Sequence, residues 1–112
     1  MSPDDRWRVQ HMVDAIEQAQ GFVADRKRAD LDTDAMLRLA LVQLVQIIGE
    51  AAVRLTEEAR AELTEVPWAQ IVGMRNRLVH AYFDINRDIL WDTVQLALPR
   101  LLAPLKRALG EH

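Results

Sequence analysis

The feature that most constrains this chain is a nearly unbroken apolar helix pattern in its middle. Leu37, Leu41, Leu44, Val45, Ile48, Ala51, Ala52 and Leu55 recur at three- and four-residue steps with almost no breaker. A helix this apolar along one side must be covered by other elements, and Asp32 or Thr33 stands where it needs a cap. The flanking sequence supplies the partners. Ser2, Pro3, Asp4 and Asp5 read as a helix start, with a hydroxyl cap, a proline in the first turn and acids at the positive end of the dipole. Trp7, Met12, Val13, Ile16, Ala19, Phe22 and Val23 continue that first helix at helical spacing until the charged residues 25–30, which read as a connection.

After the central helix, Thr56 with Glu57, Glu58 and Ala59 reads as the start of a short helical turn that ends before Pro67. Residues 68–82 read as a further helix. Asp84, Ile85 and Asn86 read as a turn whose Asn86 caps a last helix through Leu109. Pro99 and Pro104 lack amide donors and are expected to kink or loosen that helix. The expectation is an all-α protein: an antiparallel bundle of four long helices with one short extra helix. A chain of 112 residues accommodates one hydrophobic core, so residues 1–112 are read as one domain.

Composition then removes function classes. With no cysteine, the chain has no disulfide, no thiolate zinc site and no cysteine nucleophile. A ferritin-like di-iron bundle shares the architecture but needs Glu-x-x-His pairs, and the sequence has none. No run approaches about 20 uninterrupted apolar residues, and the first residues carry neither a basic nor an apolar leader segment, so a cytoplasmic location off the membrane is expected. A net charge of -3 argues against nucleic acid as a partner. The placement of Arg75, Arg77, Arg87 and Arg100 in the C-terminal half nevertheless leaves room for a local basic cleft.

The densest set of reactive side chains lies between Gly73 and Tyr82. On a helical wheel, Ile71, Val72, Met74, Leu78, Val79 and Tyr82 surround Arg75. A guanidinium aimed at apolar surroundings needs a carboxylate, a phosphate or a wet cleft, so a structural ion pair and a functional role both stand open. His80 follows Asn76 by four residues, at the border between the apolar and polar arcs. It is the one type of side chain that readily gives and takes a proton near neutral pH, although a histidine at a helix end also serves as a cap. Gln43, Gln46, Glu50 and Arg54 form a polar stripe on the central helix, which either faces water or brings Glu50 to Arg75 or to a cleft between subunits. His11 and His112 have no comparable context. The basic run Arg26-Lys27-Arg28 is followed by Asp30, Asp32 and Asp34 and reads as a solvated connection.

Arg75, four intervening residues and His80 resemble the Arg-x4-6-His motif of HEPN domains, and His80-Ala81-Tyr82 resembles the His-x-Tyr extension of HepT toxins. The segments Ile47-Ile48-Gly49-Glu50-Ala51-Ala52, Pro67-Trp68, Ile71-Val72-Gly73-Met74-Arg75-Asn76 and Leu78-Val79-His80 follow the family pattern in order, as do Trp91 and Leu98-Pro99. The resemblance implies a HEPN-type bundle forming a symmetric homodimer whose Arg and His side chains line one cleft. It implies an endoribonuclease that needs no metal or other cofactor, the toxin of a type VII HepT/MntA pair. In that reading His80 is general base or acid, Arg75 binds and neutralises the phosphate, Asn76 orients the phosphate or His80, Glu50 supports them and Arg77 contacts RNA. It also implies a partner, a minimal nucleotidyltransferase antitoxin of the MntA kind that places AMP on Tyr82. The alternative is a HEPN module without catalysis that binds a nucleotidyltransferase or a nucleotide. A purely structural bundle is the third reading, and it leaves no cellular effect of changing Arg75 or His80 apart from stability.

Overall fold

The first helix starts where its capping residues place it. The Ser2 hydroxyl accepts the Asp5 amide at 3.1 Å and opens α1 (Pro3–Val23), a cap of the kind that stabilises a helix by about 1 kcal/mol. The computed structural model that shows this describes residues 1–78 and 85–110, with the side chains of Arg75, Arg77 and Leu78 outside that description. His80 and Tyr82 also lie outside the described residues. Among the described residues all regular structure is helical.

The buried stripe of α1 is Val9, Met12, Val13, Ile16, Ala19 and Val23. Two residues assigned to this stripe from spacing do not belong to it: Trp7 and Phe22 are exposed. The reason is angular. Val9 rather than Trp7 precedes Met12 by three residues and Val13 by four, and five residues separate Trp7 from Met12, which turns it well off the apolar stripe. The helix ends at Ala24, and Asp25 takes a left-handed conformation, φ 62°, which aspartate tolerates better than most residues.

The charged connection contains an unexpected element, the single turn α2 (Asp30–Thr33), whose Leu31 is fully buried. It moves the cap of the central helix. Asp34, not Asp32 or Thr33, caps α3 (Ala35–Arg54), its carboxylate accepting the Leu37 amide at 3.0 Å. Asp32 is unavailable because Arg28 and Arg87 both donate to its Oδ1, at 3.1 and 3.0 Å. Asp34 has the extended backbone that a capping residue needs.

α3 buries Leu37, Leu41, Leu44, Val45, Ile48, Gly49, Ala51 and Ala52 and packs against both α1 and α5 (Trp68–Leu78). By length and composition it would suffice to cross a membrane, with a mean hydropathy of 1.6, but 44% of that stretch is buried inside the bundle. The pairing of Trp7 with Arg54 at one end of the α1–α3 groove, and of Phe22 with Met36 at the other, makes these helices antiparallel.

Between α3 and α5, Thr56 caps the short α4 (Glu57–Glu62) through the Ala59 amide at 3.1 Å. The same threonine donates its hydroxyl to Asp5 Oδ2 at 2.7 Å and its amide to Asp5 Oδ1 at 3.1 Å. Pro67 then breaks the chain, and the Trp68 indole N–H, donating to the carbonyls of Arg60 and Leu63 at 3.2 and 3.1 Å, fastens the break to α4.

Asn86 caps α6 (Arg87–Asp92) through the Ile89 amide at 3.0 Å. The last stretch continues through a π-helical turn (Thr93–Ala97) into α7 (Leu98–Ala108), which packs on α1. The expected loosening is thus this wider turn immediately ahead of Pro99. The Leu98 amide donates five residues back, to the Thr93 carbonyl. Pro99 has no amide to offer the preceding turn, so a change of register there costs less than it would elsewhere. Pro104 sits within α7 without ending it. Met12, Ile16, Leu41, Ile48, Ile71, Leu90, Leu98 and Leu105 are fully buried in the core that these helices share. Truncating such a residue to alanine typically costs about 2–5 kcal/mol.

Candidate functional site

Two helices carry the described part of the candidate site. α5 holds Arg75, Asn76 and Arg77, and α3 holds Glu50. α5 is fixed against α3 by Ile71 and Met74, both buried, while Asn76 is exposed. Ile71 and Met74 stand three positions apart on one face, so a helix anchored by both has a defined rotation, and the Cα atoms of Arg75 and Asn76 ride on it. His80 and Tyr82 follow in sequence, outside the described residues.

Glu50 is exposed on the polar stripe of α3, and so are Gln43 and Arg54. It lines a groove of about 230 Å³ between α1 and α3 together with Trp7, Arg8, His11, Ile47 and Arg54. Helical spacing assigned Trp7 to the core and offered no context for His11. In the structure their rings stand against each other, centroids 4.0 Å apart and planes tilted by 41°. The sequence signal for this was available, because Trp7 and His11 are four residues apart on one helix and Trp7 misses the apolar stripe by its angle. A second, more open groove of about 540 Å³ runs between α5 and the π-helical turn, past Gln70, Met74, Asp92, Leu96 and Arg100.

Of the four arginines that sequence placed near the site, Arg87 is drawn elsewhere. Its guanidinium donates to Asp32 at 3.0 Å, while Arg28 donates to Asp32 at 3.1 Å and to Asp88 at 2.6 Å. Hydrogen bonds from Arg87, then Arg28, hold the Asp32 carboxyl below its usual range, and Asp88 with Asp32 raises Arg28 above its own. This network ties the connection after α1 to the start of α6, and Arg87 is a structural clamp rather than a lone phosphate ligand. Arg26 is likewise paired, with Asp34 at 3.2 Å, so the basic run is a solvated connection as its neighbouring acids imply. Arg100 is exposed beside Asp92 in the larger groove. Among the described residues no three His, Asp or Glu side chains gather at a spacing that would hold a metal ion.

Among the described residues Asp5 is the ionisable side chain with the least solvent around it, 1% exposed. The Thr56 hydroxyl, then the Thr56 amide, hold its carboxyl below the usual carboxylate range against the opposing effect of burial, and Arg8 lies 4.0 Å away. It joins α1 to the α3–α4 junction, and its charge is structural.

The family model described as Ribonuclease HepT-like matches residues 12–108, which takes in α3, α5 and the Arg75–His80–Tyr82 segment. Among curated proteins, "Putative RNase TTE0752" of Caldanaerobacter subterraneus subsp. tengcongensis is 40% identical over 87% of this chain and 83% of its own length. "Putative RNase MJ1380" of Methanocaldococcus jannaschii is 32% identical over 80% of this chain and 85% of its own. "Probable ribonuclease HepT" of Thermococcus cleftensis is 30% identical over 83% and 84%. No solved structure matches. A match that runs through the central helix, the α5 anchor residues and the last helix covers the elements that build this bundle, and the chain belongs to the ribonuclease HepT-like family of HEPN proteins.

Proposed function

We propose that the chain is an endoribonuclease toxin acting without a metal, with Arg75 and His80 as its catalytic pair. The observation that carries this reading is the match of the HepT-like family across residues 12–108 to a chain that keeps Arg75, Asn76, His80 and Tyr82 in the family's spacing. His80 takes the proton of a ribose 2'-hydroxyl, and the 2'-oxygen attacks the adjacent phosphorus. The 5'-oxygen leaves with a proton returned by a histidine acid, giving a 2',3'-cyclic phosphate and a 5'-hydroxyl end. Arg75 neutralises the phosphate as charge builds on its free oxygens, and Asn76 orients the phosphate or His80. Glu50 supports the pair from α3, and Arg77 contacts the RNA backbone. Two copies related by a twofold axis contribute Arg75 and His80 to one cleft, and the protein works in the cytoplasm.

Its control follows from Tyr82. A minimal nucleotidyltransferase of the MntA kind transfers AMP from ATP to the Tyr82 hydroxyl, with pyrophosphate leaving. Tyr82 lies two residues from His80 and seven from Arg75, so the added phosphate and adenosine compete with RNA for the same cleft.

The deciding experiment expresses the wild type and His80→Ala in cells and follows growth and RNA integrity, with circular dichroism on both proteins. The expected outcome is growth arrest and RNA ending in 2',3'-cyclic phosphate for the wild type, and neither for a folded His80→Ala. Equal behaviour of the two overturns catalysis and leaves a HEPN module that binds its nucleotidyltransferase without cutting.

A further inference from the structure

We propose that the groove between α1 and α3 at Trp7 is a base-stacking subsite for single-stranded RNA, the Trp7 indole receiving one nucleobase and Arg8 and Arg54 the flanking phosphates. The inference rests on the ribonuclease reading and adds a binding site to it. An indole 60% exposed on a helix that has a well-filled apolar stripe of its own contributes little to the core. Its contact with His11, centroids 4.0 Å apart, restrains the ring without covering it. Base stacking on such an aromatic surface is sequence-tolerant and contributes about 1–3 kcal/mol per base.

The charges around the ring fit the same occupant. Arg8 and Arg54 line the groove with Trp7, and Arg54 forms no ion pair among the described residues. Arg8, its side chain 28% exposed, stands 4.0 Å from an Asp5 that also takes two hydrogen bonds from Thr56. Glu50 is the one acid in the groove, leaving two guanidinium groups to one carboxylate. The groove, at about 230 Å³, is smaller than the roughly 300–1,000 Å³ of sites that enclose a drug-sized ligand, which suits one base entering from an open strand. The other end of the same pair of helices differs. There Phe22 and Met36 flank Asp34 and Arg26, which are paired with each other. At the Phe22 end the ring stands beside a neutralised pair, whereas at the Trp7 end it stands beside two guanidinium groups and one carboxylate, that of Glu50.

The test is fluorescence anisotropy of a labelled single-stranded 2'-O-methyl RNA of about ten nucleotides, which lacks the attacking hydroxyl and stays intact while its affinity is measured. Trp7→Ala is expected to weaken binding roughly 5- to 100-fold, and Trp7→Phe to stay within about threefold of the wild type. Arg54→Gln is expected to weaken binding and to lower the slope of log affinity against log salt by about one. Circular dichroism and sedimentation accompany each variant. Equal binding by Trp7→Ala and the wild type overturns the subsite alone if the wild type still cleaves RNA. Loss of dimer mass in Trp7→Ala without loss of RNA binding also overturns it and makes the face a contact between copies. A wild type that neither binds the probe nor cleaves RNA overturns the ribonuclease reading, and the subsite falls with it.

Discussion

Two sets of charges hold this bundle together, and they do so in opposite surroundings. At one end, Asp5 is sealed from solvent and takes two hydrogen bonds from Thr56, one from the hydroxyl and one from the amide. At the other, Arg28, Asp32, Arg87 and Asp88 form a network in which every member is substantially open to water, Asp88 at 79% of its side chain. Both join segments far apart in sequence: Asp5 to Thr56 across 51 residues, Arg28 to Asp88 across 60. What differs is what is left when a partner is lost. Without Asp5, the Thr56 amide and hydroxyl lose both acceptors at a part-buried junction, and donors left unmet there are costly. Without Asp88, Arg28 turns to water, so exposed pairs contribute little.

The largest expected effect follows directly. Asp5→Ala should lower Tm by roughly 5–10 °C in a thermal melt, because the α1 start and the α3–α4 junction lose their only described tie through Thr56. Asp5→Asn should recover part of that loss, since its carbonyl still accepts one of the two bonds. A Tm for Asp5→Ala within a degree of the wild type would erase the distinction between the two ends.

An intermediate effect comes from pH. Thr56 lowers the Asp5 carboxyl below its ordinary value of 3.8, so the folded state holds the proton less tightly than the unfolded one. The stabilisation is therefore fully present above pH 3.8 and drains away as pH falls from there through the folded value. Chemical denaturation between pH 6 and about pH 2 should show wild-type stability falling steeply below pH 4 and Asp5→Asn falling less steeply. Some slope persists in the variant because Asp32 and Asp34 are lowered in the same direction. Parallel curves for the two proteins would mean that Asp5 is not the main acid-sensitive tie.

The same contrast explains what sequence could and could not reveal. The helices were legible because local chemistry specifies them: Ser2, Thr56 and Asn86 each cap as their residue types predict, and Pro67 breaks the chain where it must. Asp34 displaced the expected cap because Leu31 buries a turn of its own and two arginines occupy Asp32, both of which are tertiary events. Asp5 was legible as a helix-start acid and not as a buried one, since its partner lies 51 residues away. Asn76 at the border of the apolar arc and Glu50 on a polar stripe were legible, both being exposed, and α5 and α3 pack together, whereas the Arg75 side chain, expected within the apolar arc, lies outside the described residues. The Trp7–His11 surface escaped because an aromatic at approximate helical spacing was counted as core, although its angle to Met12 excluded it.

The smallest effect belongs to the exposed network, and it is expected to be local. Asp32→Ala removes both the Arg28 and the Arg87 hydrogen bonds, yet Tm should move by no more than about 2 °C. The consequence belongs instead to the start of α6, which Arg87 fastens to α2 and which the Arg28–Asp88 pair and the Asn86 cap would then still hold. Hydrogen exchange of the first amides after the cap, at residues 89–92, should accelerate in Asp32→Ala while amides of the α1 core around Met12 keep wild-type protection. Raising salt to about 1 M should mimic the variant at residues 89–92 and leave the Asp5–Thr56 junction unchanged, since screening reaches solvated charges far more than buried ones. Equal acceleration at both places would mean that the network and the core open as one cooperative unit, and the two ends would then differ in solvent exposure without differing in what they stabilise.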